Sequence, residues 1–136
     1  MAGAVSDLSV RVTDLSTIVS LPADVLFEFD KATLTPAAEQ SLRSVADLVR
    51  QGAPGAVTVL GHTDGKGSDA YNEDLSERRA EAVAEWFARQ PGVRDRDYRT
   101  EGKGEREPVA PNTRPDGGDN PQGRAQNRRV EVVIPR

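Results

Sequence analysis

The stretch that most constrains this chain is Leu60–Phe87, LGHTDGKGSDAYNEDLSERRAEAVAEWF. A short run rich in β-branched residues, Val57–Leu60, ends in Gly61 and a polar tetrad, His62-Thr63-Asp64-Gly65. It is too short for a buried helix and reads as a strand. After the loop Gly61–Ser68, the spacing predicts a helix from about Asp69 to Arg89 or Gln90, with Leu75, Ala82, Val83, Trp86 and Phe87 toward the sheet. Pro91-Gly92 stops it. Strand, polar loop and helix in that order gather side chains and free backbone N–H groups at one end of an α/β layer, where ligands bind. Arg79 is one turn beyond Leu75 and so starts from the buried side, able to reach back toward the strand end, and with Asp64 it makes a separated pair of opposite charges suited to a small zwitterionic group.

The flanking segments fit the same layer. Thr35 is the expected N-cap of an earlier helix, with Pro36 at its first position and Glu39 in its first turn. Leu42, Val45, Ala46 and Val49 give it one buried face, and Gly52 with Pro54-Gly55 ends it. Upstream, residues 5–21 are β-prone and are expected to hold a short edge strand, with Pro22 starting an irregular turn. One or both of Phe27 and Phe29 are expected to plug the core, leaving Glu28 and Asp30 solvated or at a ligand rim. Downstream come a strand near Tyr98–Gly102, a Pro- and Gly-rich stretch over 104–123, a helical turn at Arg124–Arg128 and a closing strand at Val130–Ile134.

The fold expected is an α/β two-layer sandwich, with two main helices on a mixed parallel/antiparallel sheet of about four strands. Residues 1–20 read as a linker with a possible edge strand, Met1–Ala4 reading as either an artificial start or a trimmed linker, and 21–136 as one domain with an irregular insertion around 104–123. A length of 136 residues, 36% of them hydrophobic, allows one such core.

Composition narrows the chemistry. The net charge of -4 argues against a nucleic-acid partner, although Arg124, Arg128 and Arg129 leave room for a local anion site. Without cysteine there is neither a disulfide framework nor thiolate chemistry. No run approaches roughly 18 apolar residues, so nothing here spans a membrane as a helix, and any signal or anchor is expected outside this sequence. His62 is the only histidine and has no companions at metal-ligand spacing, so a structural hydrogen bond in the loop is expected of it, with no metal. Asp64 with Glu28 or Asp30 would make a carboxylate pair for glycan hydrolysis only if they flanked a scissile bond about 5–9 Å apart. Nothing in the sequence places them so. Phosphate at the second helix's N-terminus would be repelled by Asp64.

Gly61-His62-Thr63-Asp64, Gly67, Tyr71-Asn72, Leu75-Ser76, Arg79-Ala80 and Val83 together resemble the signature of the OmpA-like C-terminal domain family. That family includes peptidoglycan-associated lipoproteins and the periplasmic domains of flagellar stator proteins. Val25–Ala32 with Leu34 and Pro36 is similar to the family's opening segment, and Asn127-Arg128-Arg129-Val130-Glu131 to its closing motif. The resemblance covers about 21–134. It implies a non-enzymatic, cofactor-free domain of the periplasmic or extracytoplasmic cell envelope. Such a domain binds the peptidoglycan stem peptide through its diaminopimelate residue and anchors a parent protein to the wall. The same resemblance keeps a second role open, that of an interaction or oligomerisation domain, as a monomer or weak dimer.

Carried over residue by residue, Asp64 accepts the ligand ammonium and Arg79 binds its carboxylate, a task to which arginine's rigid fork is suited. Thr63 either orients Asp64 or hydrogen-bonds ligand through its N–H, and Asn72 either touches ligand or pins the loop. Leu75 is core or pocket wall. Asn127 and Arg128 are the expected pocket-side pair, with Arg129 turned away to solvent or the glycan chain. Gly61, His62, Phe29 and Asp30 are structural neighbours of the site, with Asp30 expected to satisfy backbone in its turn. Two features depart from the family: the excursion Arg114–Gly123, and Gly65, which offers no side chain after Asp64.

Overall fold

The computed structural model describes residues 8–136; the expectations for residues 1–7 lie outside the described residues. The chain runs β1 (Ser9–Val12), β2 (Ser16–Pro22), α1 (Ala23–Leu26), α2 (Ala38–Gln51), β3 (Val57–His62), α3 (Asp69–Ala88), β4 (Tyr98–Gly102), α4 (Pro121–Asn127) and β5 (Arg129–Pro135). The sheet has five strands in the order β1-β2-β5-β3-β4, one more than expected. The extra strand comes from the N-terminal stretch, which forms a β1–β2 hairpin where one edge strand was foreseen. β2 pairs with β5 from Ser16↔Pro135 to Pro22↔Arg129, so the sheet begins before Leu21.

β3 and β4 are parallel, joined by α3, and β5 lies antiparallel to both β2 and β3. β2 and β3 are therefore parallel to each other with β5 between them, and α2 is the crossover that links them. One face of the sheet carries Val19, Leu21, Val57, Val59, Val130, Val132 and Ile134, all buried. Against it lie Leu42, Val45 and Val49 of α2 and Val83 and Phe87 of α3. Each such side chain contributes about 1.5–3 kcal/mol by leaving water. Phe87 also stacks on Tyr98, ring centroids 5.7 Å apart.

α2 starts two residues later than its sequence signals indicate. Thr35 still caps it from a preceding turn, Oγ1 accepting the Ala38 N–H (3.2 Å) and donating to the Val25 carbonyl (2.7 Å). α3 begins where expected, Ser68 Oγ accepting the Tyr71 N–H (3.1 Å). Only Phe27 of the two phenylalanines enters the core; Phe29 is 95% exposed.

Two facing glycines bring α3 onto the sheet. Gly61 and Gly102 are register partners on β3 and β4. A Cβ on Gly61 would stand 2.1 Å from the Ser76 carbonyl oxygen, and one on Gly102 would stand 2.5 Å from the Glu77 nitrogen. Only bare backbone there lets α3 pack this closely, and that contact fixes how far Asn72, Leu75 and Arg79 project beyond the strand ends.

Candidate functional site

At the C-terminal ends of β3 and β4 the structure holds a cavity of about 420 Å³ lined by residues from four regions of the chain. Thr63, Asp64 and Lys66 come from the loop after β3, and Tyr71, Asn72, Leu75 and Arg79 from one face of α3. Asp24 and residues 27–30 come from α1 and the following turn, and Arg124 and Arg128 from α4 and its end. Asp64, Arg79, Thr63, Asn72, Leu75 and Arg128 are thus brought together as the sequence implied. Asn127 is not among them.

Arg79 is 6% exposed. Its Nε donates to the Lys31 carbonyl (2.8 Å) and its guanidinium carbon lies 5.0 Å from the Phe27 ring centroid. Among the described residues no carboxylate lies within ion-pair distance of it. Burial pushes its pKa down, partly offset by Asp24, Tyr71 and Asp30. This is a buried cation held by a carbonyl and a ring, with part of its fork uncommitted.

Asp64, 8% exposed, is in the opposite condition. Oδ1 accepts the Lys66 N–H (3.0 Å), while Oδ2 accepts from Arg128 Nη1 (2.6 Å) and lies 3.5 Å from Arg124 Nη1. Arg128 in turn donates Nε and Nη2 to the two oxygens of Asp24, both at 3.0 Å. Its pKa is raised, first by Asp24 and, against burial, by Asp64. Arg124 makes the matching bidentate contact with Asp119, 2.7 Å for each bond.

The other expected site residues divide between the alternatives left open for them and, at Asp30, a different role. The Thr63 N–H donates to the Gly104 carbonyl (2.9 Å) and is not free for a ligand, while its hydroxyl donates to the Asp64 carbonyl (2.9 Å), the orienting role. Asn72 pins the loop, Nδ2 donating to the Lys66 carbonyl (2.9 Å). Leu75 is pocket wall. Asp30 adopts a left-handed backbone (φ 60°), and its carboxylate accepts the Tyr71 hydroxyl instead of serving the turn. That contact raises the tyrosine's pKa.

Asn127 is fully buried away from the pocket. Its Oδ1 accepts the Val109 and Ala110 N–H groups (2.8 and 3.0 Å), and its Nδ2 donates to the Ala110 carbonyl (2.8 Å) and Asn112 Oδ1 (2.9 Å). Its work is to fasten the 104–123 segment. Gly65 belongs to the same arrangement, since a Cβ there would stand 2.8 Å from Asn112 Nδ2.

Arg129 does not meet solvent. It points to the opposite face from Arg128, as adjacent residues do, but is buried there, donating to Glu131 Oε2 (2.8 Å) and to the Glu107 carbonyl (2.9 Å). His62 is the last residue of β3, not part of the loop. Its Nε2 lies 3.5 Å from Glu131 Oε1, long for a hydrogen bond, and neither ring nitrogen makes a formed one. The His62 contact and the Arg129 guanidinium outweigh burial and hold the Glu131 carboxyl down to about 2.

Asp24, Tyr71, Lys66, Arg124 and Asp119 were not assigned to the site from the sequence. The spacing of Arg124 and Arg128, four apart in a helical turn, was the available signal. Asp24 carried none, because only the tertiary fold brings it to Arg128.

The sequence matches the OmpA family over residues 26–122. It is 41% identical over 132 residues, 97% of this chain, to the photosystem I P700 chlorophyll a apoprotein A2 of Gloeobacter violaceus, of which the match covers 15%. It is 38% identical over 120 residues, 88% of this chain, to outer membrane porin F of Pseudomonas aeruginosa, of which the match covers 33%. The chain thus spans well under two thirds of these curated relatives. The solved cell wall anchor of the T6SS from Pseudomonas aeruginosa superposes with a TM-score of 0.80 at 29% identity, covering 98% of this chain and 94% of that one. With Asp64, Asn72, Leu75 and Arg79 of the signature gathered around one cavity and the family match covering more than half of the sequence, the chain belongs to the OmpA family.

Proposed function

We propose that this domain binds the peptidoglycan stem peptide non-covalently, through the amine and carboxylate at the side-chain end of a diaminopimelate residue, and so anchors a cell-envelope protein to the wall. The observation that carries this reading is Arg79, a buried cation in a cavity with Asp64 and without a carboxylate partner among the described residues. Leaving such a charge unpaired is costly, and an incoming carboxylate relieves that cost with charge-assisted hydrogen bonds. Asp64 Oδ1 accepts a single N–H and has capacity for an ammonium. One carbon bearing both groups satisfies both residues; a lysine in its place leaves Arg79 unpaired, which is how such a site rejects an analogue. The description of the solved neighbour as a cell wall anchor supports the same role. Binding and release are the whole of the activity on this reading, with no bond made or broken.

Retention on purified sacculi, compared for the wild type, Asp64→Ala and Arg79→Ala, is the direct test. Each variant is expected to lose on the order of 2–5 kcal/mol of binding, enough to abolish retention. Wild-type retention by both variants overturns the proposal.

A further inference from the structure

Five side chains form a row, the first four of them lining the cavity: Asp24, Arg128, Asp64, Arg124 and Asp119. Charges alternate along it, with acids at both ends and Asp64 in the middle. Considered alone, Asp64 faces two guanidiniums through one oxygen, a local charge of +1 that would repel an ammonium. The end carboxylates change this. Each engages its arginine through Nε and Nη2, leaving only Nη1 toward Asp64. The row as a whole then carries three negative and two positive charges. Oδ1 of Asp64 is the carboxylate oxygen that no arginine touches, and it accepts only the Lys66 N–H. Lys66 lines the same cavity but makes no ion pair with any of the five.

We propose that Asp119 and Asp24 are positioning residues for the amine half of the site, neutralising Arg124 and Arg128 so that Asp64 keeps the negative charge a ligand ammonium requires. This rests on the reading of the cavity as a diamino-acid site. It also gives the 104–123 segment a task, since Asp119 is its contribution. The segment is built to hold that residue. Thr113 and Asp119 form an isolated bridge, the Asp119 carbonyl accepts from Arg114 Nε (2.9 Å), and Asn127 fastens the segment's base. Arg124 holds the Asp119 carboxyl below its usual range, as a working ion pair does.

The test separates charge from scaffold by using two ligands. Binding of meso-diaminopimelate and of pimelate, the same dicarboxylate without amines, is measured by NMR titration. The proteins are the wild type, Asp119→Asn, Asp24→Asn and the double variant Asp119→Asn/Arg124→Gln. Asp119 is a half-exposed side chain, so its isosteric amide leaves the fold intact. Each single variant is expected to weaken diaminopimelate about two- to fivefold, with pimelate unchanged or tighter. The double variant, which removes one charge of each sign, is expected to recover the wild-type ratio. An unchanged ratio in both single variants, or equal weakening of both ligands, overturns the proposal. A wild type that binds neither diaminopimelate nor sacculi overturns the reading of the cavity and the role of the row together.

Discussion

Glu131 shows at single-residue scale what the fold asks of its polar groups. It sits on β5, the strand that follows Arg128, and faces the side of the sheet away from the helices, between Arg129 and His62. Its folded pKa, about 2, lies below the unfolded value of about 4.3. The stabilisation it gives is therefore present above pH 4.3 and is lost as the pH falls toward 2, amounting to on the order of 2–3 kcal/mol. Glu131→Gln removes that pH-dependent part. Urea midpoints of the wild type and variant should accordingly converge between about pH 5 and pH 2; a constant gap across that range would contradict the assignment. Glu131 was legible from the sequence only as part of a closing motif. Asp64 and Arg79 were legible because loop and helix spacing place them locally. Asp24 was not, since its partner Arg128 is 104 residues away.

At the scale of elements, α3 is the piece on which the site depends. Its start near Asp69, its buried positions Leu75, Val83, Trp86 and Phe87, and its end at Pro91-Gly92 could be read from the sequence, because all are local signals. Its depth on the sheet could not, because that is set by Gly61 and Gly102 meeting Ser76 and Glu77 across the layer. Gly61→Ala should push the helix outward, costing about 1–3 kcal/mol of stability. It should also weaken sacculus retention by displacing Arg79 from the cavity. Normal retention in a destabilised Gly61→Ala would separate the helix seat from the site. The N-terminal hairpin was half legible: the alternation marked strand, but a turn at residues 13–15 that doubles the strand back has no Gly or Pro to announce it.

For the whole molecule, the net charge of -4 and the buried position of Asp64 and Arg79 lead to an expectation about salt. Screening at 0.5 M sodium chloride acts on exposed charges far more than on buried ones. Retention on sacculi should therefore survive that salt largely intact. Release well below it would indicate attachment through surface charge instead of the cavity. The two-layer architecture and the antiparallel closing strand followed from the order of the elements; the central place of that strand did not, since pairing across the sheet leaves no mark in local sequence.

That central place has a consequence for how the protein is made. β5, at residues 129–135, supplies the hydrogen bonds that join the β1–β2 hairpin to the β3–β4 pair. Until those residues emerge from a ribosome or an export channel, the two halves have no backbone connection through a sheet, and Arg128 is not yet in the cavity. Folding must then wait for contacts distant in sequence, which are slow to form. Vectorial synthesis would therefore leave the earlier elements loose, with the binding site completed only once β5 has been made.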